Sequence, residues 1–133
     1  MHHVEHIGIA VRSIATSVPL FENLLNCLCY KTESVESEQV NTAFFQTGNT
    51  KIELLESIAG SGAIASFLEK RGEGIHHIAF EVEDIQAEMH RLASIGFTII
   101  NEVPKKGADN KLVCFLHPKT TNGVLVELCQ EIK

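Results

Sequence analysis

The stretch HIGIAVRSI at residues 6–14 recurs in altered form as HIAFEVEDI at residues 77–85. Histidine, isoleucine, valine and isoleucine coincide at a constant offset of 71 residues, which also brings Phe44 onto Phe115. Further along, KIEL at residues 51–54 meets LVEL at residues 125–128 at an offset of 74. The second copy therefore needs a turn three residues longer, for which residues 117–123 are rich in turn formers. The chain contains two copies of one unit of about seventy residues.

Each copy has the same predicted order of elements: a strand, a helix and three further strands. Residues 6–11 and 77–82 are β-rich runs of strand length. The first helix is expected to begin near Ser17 with Pro19 in its first turn, and the second to have Asp84 as its N-cap and to stop at Gly96. The later strands are predicted at 30–36, 40–47 and 51–56, and at 97–102, 111–117 and 123–129. A short helix is expected around residues 64–68.

This order predicts an α+β fold of two tandem βαβββ modules, with antiparallel-rich sheets and the helices packed outside. At 133 residues the chain is long enough to bury a core, and we expect one domain, residues 1–133. Module one spans about residues 1–58, a linker helix about 61–70, and module two about 74–133. The first and last strands of both modules would line a common metal-containing groove.

Composition excludes several classes of protein. The net charge of −6 argues against a nucleic-acid binder. No apolar run approaches the roughly 20 residues of a membrane helix, and no export signal is recognisable at the N-terminus. The four cysteines form no disulfide or zinc pattern, so we expect reduced thiols in a cytoplasmic protein.

One basic cluster departs from this acidic background. Four lysines fall within fifteen positions: Lys105, Lys106, Lys111 and Lys119. Such a cluster is more often a solvated loop than a ligand site. Contact with an anionic ligand is the alternative interpretation, and the sequence leaves both open.

Two residue types recur at matching places in the two copies. His6 and His77 open the first strands, and Glu53 and Glu127 lie in the last strands among apolar neighbours. A lone strand histidine is usually structural and a lone strand glutamate usually faces water, but here the repeat couples all four. Burying a carboxylate is costly unless a cation compensates it. The sequence therefore predicts one divalent ion bound by the four side chains, which suit Zn, Co, Ni, Mn or Fe.

At these residues the sequence resembles the vicinal oxygen chelate, or glyoxalase-like, superfamily, and within it the methylmalonyl-CoA epimerase family. The resemblance covers nearly the whole chain. It lies in HIGIAV at 6–11, TKIELLE at 50–56, FLEKRGEGIHHIAF at 67–80, FLHPK at 115–119 and GVLVEL at 123–128. The strings HHIAF and FLHPK point to the epimerase branch, because glyoxalase I typically carries an Asp-Pro-Asp-Gly-type turn before its last glutamate.

The resemblance implies a glyoxalase/bleomycin-resistance-like fold and an isomerase that binds one divalent ion, Co, Mn, Ni or Zn, through the same four ligands. Such an enzyme epimerises methylmalonyl-CoA by abstracting the C2 proton, through a metal-stabilised enolate. We expect Glu127 first and Glu53 second as the proton-transferring base. Some relatives carry a further glutamate where this chain has Thr42, which cannot act as a base.

The resemblance also implies an acyl-CoA substrate and a homodimer. Lys105, Lys106 and Lys119 are candidates for contacts with the CoA phosphates, and His117 either touches the substrate or ends a strand. A glyoxalase I-type lactoylglutathione lyase, acting on a glutathione hemithioacetal, is the alternative enzyme. A non-catalytic member that binds a small molecule is the alternative from another class.

Overall fold

A computed structural model describes all residues from Met1 to Lys133. The elements follow in the order β1 (Val4–Ala10), α1 (Ile14–Leu25), β2 (Lys31–Val35), β3 (Val40–Thr47), β4 (Thr50–Ser57), α2 (Gly62–Arg71), β5 (Gly74–Glu81), α3 (Ile85–Ser94), β6 (Lys105–Lys106), β7 (Lys111–Leu116) and β8 (Val126–Glu131). The chain divides into a first unit, residues 6–76, and a second unit, residues 1–5 with 77–133. None of the helices combines the length and the apolar character needed to span a membrane.

The first unit contains four strands in the order β2-β3-β4-β1. β1 runs parallel to β4, and the other neighbours are antiparallel. Because side chains alternate along a strand, one face of this sheet is apolar and receives α1. The core of the unit lies there, formed by Val11, Ala43, Phe45 and Leu54 with half-buried partners such as Phe21.

The second unit repeats this arrangement with the strand order β5-β8-β7-β6. β5 runs parallel to β8, and the other neighbours are antiparallel. Helix α3 packs on the apolar face over Cys114, Leu116 and Leu128. The predicted α+β class with two βαβββ modules is confirmed, whereas the single domain stays a prediction.

Helix α1 corrects the expected start near Ser17. It begins at Ile14, and the Oγ of the N-cap Ser13 accepts a hydrogen bond from the Thr16 N–H at 3.2 Å. Ser13 stands at the offset of 71 from Asp84, the N-cap of α3, so the repeat carried this signal. Pro19 lies inside the helix, on its exposed side, where the Ala15 carbonyl that loses its partner can bond water.

The expected strand at 97–102 is also wrong. Only Ile99 forms a bridge there, to Leu116. This bridge has two backbone hydrogen bonds, from the Ile100 N–H to the Phe115 oxygen at 2.8 Å and from the His117 N–H to the Thr98 oxygen at 2.7 Å. Side chains take over on either side of it, where the Phe115 N–H donates to Asn101 Oδ1 at 2.9 Å and the Thr98 N–H donates to Thr120 Oγ1 at 3.2 Å. The strand that pairs with β7 on the side away from β8 is β6. The last strand likewise begins at Val126 and not at residue 123.

The N-cap of α3 gives a test of this local reasoning. The Asp84 carboxylate accepts a hydrogen bond from the Ala87 N–H at 3.1 Å. We expect Asp84→Ala to lower the free energy of unfolding by about 1 kcal/mol, because one helix N–H loses its partner. Urea titration followed by circular dichroism measures it. Asp84→Asn, which keeps an acceptor, should stay near the wild type, and equal losses in both variants would contradict the cap.

Candidate metal centre

The first unit holds a buried pair of a histidine and a glutamate on neighbouring parallel strands. His6 lies in β1 and Glu53 in β4, and Nδ1 of His6 is 2.9 Å from Oε2 of Glu53. Their side chains are only 6% and 5% exposed. The register sets the contact, because Glu53 lies across from Gly8, which follows His6 by two residues on the same face.

The second unit holds the matching pair. His77 lies in β5 and Glu127 in β8, and Nε2 of His77 is 3.2 Å from Oε1 of Glu127. These side chains are 6% and 7% exposed. Glu127 lies across from Ala79, which follows His77 by two residues, so the register repeats that of the first unit.

A phenylalanine flanks each glutamate on the antiparallel side. Phe44 lies directly across from Glu53 on β3, and Phe115 lies directly across from Glu127 on β7. The ring of Phe115 meets the His77 imidazole edge-on, with centroids 5.8 Å apart. Each carboxylate thus lies between a small residue on one side and an aromatic ring on the other, and it is 5% or 7% exposed.

The chemistry of these donors suits a divalent cation. Each unit contributes one imidazole and one carboxylate in surroundings where an uncompensated charge is costly. Imidazole nitrogen and carboxylate oxygen together are ligands for borderline and hard divalent ions. The structure thus places each predicted ligand beside its partner within a unit, and binding of one ion by all four stays a prediction.

The predicted substrate-binding residues lie at the surface. Lys105 and Lys106 form the exposed edge strand β6, where successive side chains point to opposite faces. Lys119 is exposed in the 3-10 turn Pro118–Thr120. His117 caps this turn, because its Nδ1 accepts a hydrogen bond from the Lys119 N–H at 3.0 Å. This imidazole therefore has a structural role, with its Nε2 edge left for a ligand.

Thr42 does not offer a substitute base. It is buried on β3, two residues before Phe44 and on the same face. Its hydroxyl donates to the Glu33 carbonyl oxygen at 3.0 Å, which ties it to the neighbouring strand. The structure therefore agrees with the expectation that Thr42 is not a base.

Sequence reasoning missed two buried polar side chains of the second unit. Lys111, seen only as part of the lysine cluster, is buried, and its ammonium lies 3.9 Å from the Glu5 carboxylate. Cys114 lies under the sheet, where burial, and then the negative charge of Glu127, raise the pKa of its thiol to about 12. The burial of Lys111 could have been suspected because this lysine opens an apolar strand. Nothing in the sequence relates Cys114 to Glu127.

Comparison with known proteins identifies the class. A family model described as the glyoxalase/bleomycin resistance protein/dioxygenase superfamily matches residues 5–115. The chain belongs to this superfamily. The two His–Glu pairs occupy equivalent register positions in the two units, and we interpret their function as that of a member of this superfamily.

The relatives point to one branch of the superfamily. The chain is 42% identical over 130 residues to the uncharacterised protein YqjC of Bacillus subtilis (strain 168), with 98% of this chain and 93% of that protein covered. It is 41% identical over 129 residues to the ethylmalonyl-CoA/methylmalonyl-CoA epimerase of Cereibacter sphaeroides, with 96% of each chain covered. The prediction of an isomerase similar to the methylmalonyl-CoA epimerases is confirmed by this likeness.

A solved structure agrees with that assignment. A variant of Streptomyces coelicolor methylmalonyl-CoA epimerase in complex with 2-nitronate-propionyl-CoA superimposes with a TM-score of 0.93. The two chains are 29% identical, and 100% of this chain and 99% of that chain are covered. The predicted glyoxalase-like fold is therefore confirmed across the whole chain.

Thiol reactivity tests the environment around Glu127. At pH 8 the Cys114 thiol stays protonated because its pKa is raised to about 12, and protonated thiols alkylate slowly. We expect iodoacetamide to leave Cys114 unmodified in the native protein and to label it after unfolding, as read by mass spectrometry. The half-buried Cys27 serves as an internal comparison. Rapid labelling of native Cys114 would contradict the buried environment.

Proposed function

We propose that this protein epimerises methylmalonyl-CoA at C2, with one divalent ion held by His6, Glu53, His77 and Glu127. The observation that carries the proposal is the pair of buried His–Glu contacts, 2.9 Å and 3.2 Å long, at the same register position of each unit. The relationship to an enzyme named for ethylmalonyl-CoA and methylmalonyl-CoA supports the substrate.

The donor set supports an ion such as Co, Mn, Ni or Zn. When bound, it supplies positive charge that lowers the free energy of the negative charge developing on the thioester oxygen, a contribution of several kcal/mol in comparable enzymes. The four side chains, two of them anionic, would hold the ion and compensate its charge.

The carboxylates of the chain carry the proton. Epimerisation requires that the C2 proton leave one face of the carbon and that a proton return to the other face. We assign the abstraction to Oε2 of Glu127, the oxygen other than the one that faces Nε2 of His77. Glu53, the equivalent group of the first unit, is the second candidate and would serve the opposite face.

The remaining parts of the proposal concern partners. Lys105, Lys106 and Lys119 are exposed cations of the second unit and would meet the CoA phosphates. A homodimer is supported by exposed leucines on and after α1, since Leu20, Leu24 and Leu28 are 58%, 68% and 77% exposed. Sedimentation velocity would measure the oligomeric state.

Hydrogen exchange at C2 tests the proposed activity. Chelator-treated protein in D2O should leave methylmalonyl-CoA protonated, and addition of Co²⁺, Mn²⁺, Ni²⁺ or Zn²⁺ should restore deuterium incorporation as followed by NMR. Failure of every ion to support exchange, in protein that still binds one, would sink the epimerase assignment. The glutathione hemithioacetal of methylglyoxal would then be the next substrate to test.

Replacement of the two carboxylates tests the assignment of the base. We expect Glu127→Gln to slow C2 exchange by roughly 100-fold or more, since general-base catalysis contributes roughly 10²- to 10⁴-fold. Glu53→Gln should also slow it. Metal content, measured by mass spectrometry, separates loss of the base from loss of the ion. Glu131→Gln, which removes an exposed carboxylate from the same strand, is the matched control. Full turnover by Glu127→Gln with its metal retained would show that another group is the base.

A further inference from the structure

Phe115 is an aromatic residue on the polar face of the second unit, and neither the proposed ligands nor the proposed base account for it. Its chain neighbours Cys114 and Leu116 belong to the core under α3. Because side chains alternate along β7, the Phe115 ring lies on the opposite face, where Glu127 stands directly across on β8. Packing under the helix therefore does not explain this ring.

The Phe115 ring contacts the imidazole of His77. The two ring centroids are 5.8 Å apart and the ring planes meet at 85°, which is the edge-to-face arrangement that aromatic pairs favour. Strand β8 lies between β5 and β7 in the sheet, so the two rings meet over the strand that carries Glu127. Phe115 thus lies beside both members of the buried pair.

The plane of the His77 imidazole needs more than its contact with Glu127. The torsion that turns a histidine ring has a broad energy minimum, so contacts around the ring decide its orientation. Nε2 of His77 is 3.2 Å from Oε1 of Glu127, at the long end of the range for a hydrogen bond. A contact at one nitrogen fixes the position of that atom, and a perpendicular phenyl ring also fixes the plane.

The backbone around Phe115 holds its ring in place. Strand β6 pairs with Leu112 and Val113 and ends before Phe115. Beyond β6, the Phe115 N–H donates to Asn101 Oδ1 at 2.9 Å, and the Phe115 oxygen accepts from the Ile100 N–H at 2.8 Å. Both backbone groups of Phe115 are thus paired on the side away from β8. A ring on this fixed backbone is a rigid support for the imidazole.

We propose that Phe115 is a positioning residue, whose ring holds the His77 imidazole in the plane in which a cation is bound beside Glu127. This inference rests on the proposed function and names a residue that prepares the metal centre before the ion arrives. Removal of a group that orients a ligating histidine commonly costs roughly 10- to 100-fold in metal affinity. A ring contact is weaker than the hydrogen bonds that usually orient such a histidine, so we expect a loss of about 10-fold.

The ring contact is measured in the metal-free protein by NMR. Chelator-treated full chain should show nuclear Overhauser contacts between ring protons of His77 and ring protons of Phe115, because an edge-to-face pair brings the edge of one ring against the other. Phe97→Leu, a change on the α3 side of the same unit, should leave these contacts in place. Their absence from the wild type would contradict the proposal whatever the behaviour of the ion.

Cobalt binding measures the consequence of the ring contact. Competition with a chromophoric chelator gives the Co²⁺ affinity of the full chain, and the d–d absorption of bound Co²⁺ reports its coordination. We expect Phe115→Leu to bind Co²⁺ about 10-fold more weakly than the wild type and to change this absorption. Phe115→Tyr, which keeps the ring, should behave as the wild type. Phe97→Leu removes a ring that packs against the core under α3, so it should lower stability without changing Co²⁺ affinity.

Phe115→Met keeps the test decisive if Phe115→Leu folds poorly. Its flexible apolar side chain occupies similar space without a ring, so we expect the same loss of affinity. Wild-type affinity in either folded variant, or an equal loss in Phe97→Leu or Phe115→Tyr, would overturn the role of Phe115 alone. A wild type that binds no Co²⁺ would overturn the proposed metal centre and this role with it, so the two failures are distinguished.

Discussion

Each unit of this protein is organised around a glutamate buried in the middle of a sheet. A carboxylate that is 5% or 7% exposed is costly to desolvate, so it needs a compensating group in contact. The imidazole at 2.9 Å or 3.2 Å is that group within the chain, and a divalent ion would be a stronger one. A carboxylate that is buried despite its desolvation free energy is typical of a functional site.

The register of the strands makes this compensation possible. A parallel neighbour brings a histidine beside the glutamate, and an antiparallel neighbour brings a phenylalanine across from it. A shift of one residue would turn the glutamate toward the helix and an apolar side chain toward the site. The helices α1 and α3 prevent such a shift, since each packs on the apolar face.

The candidate ligands and most of the elements were predictable because each weak sequence signal occurs in both copies of the repeat. A histidine or a glutamate in a strand predicts little alone, but the recurrence of both at matching places indicated the four candidate ligands. The same offset matched Ser13 with the cap Asp84, yet Pro19 gave a stronger local signal for a later helix start. The strand expected at 97–102 was wrong because Asn101 and Thr120 side chains satisfy backbone groups there, which periodicity does not detect.

The sequence by itself determined the two βαβββ modules, their α+β class and the candidate His–Glu ligands. These features depend on the alternation of neighbouring residues and on the internal repeat, and both can be read without knowing which distant residues are in contact. Only the tertiary structure decided which charges are buried. Lys105, Lys106, Lys111 and Lys119 form one cluster in the sequence, but Lys111 alone enters the interior, where it contacts Glu5. The partner of Lys111 lies more than a hundred residues away, and contact between such residues depends on strand order and register.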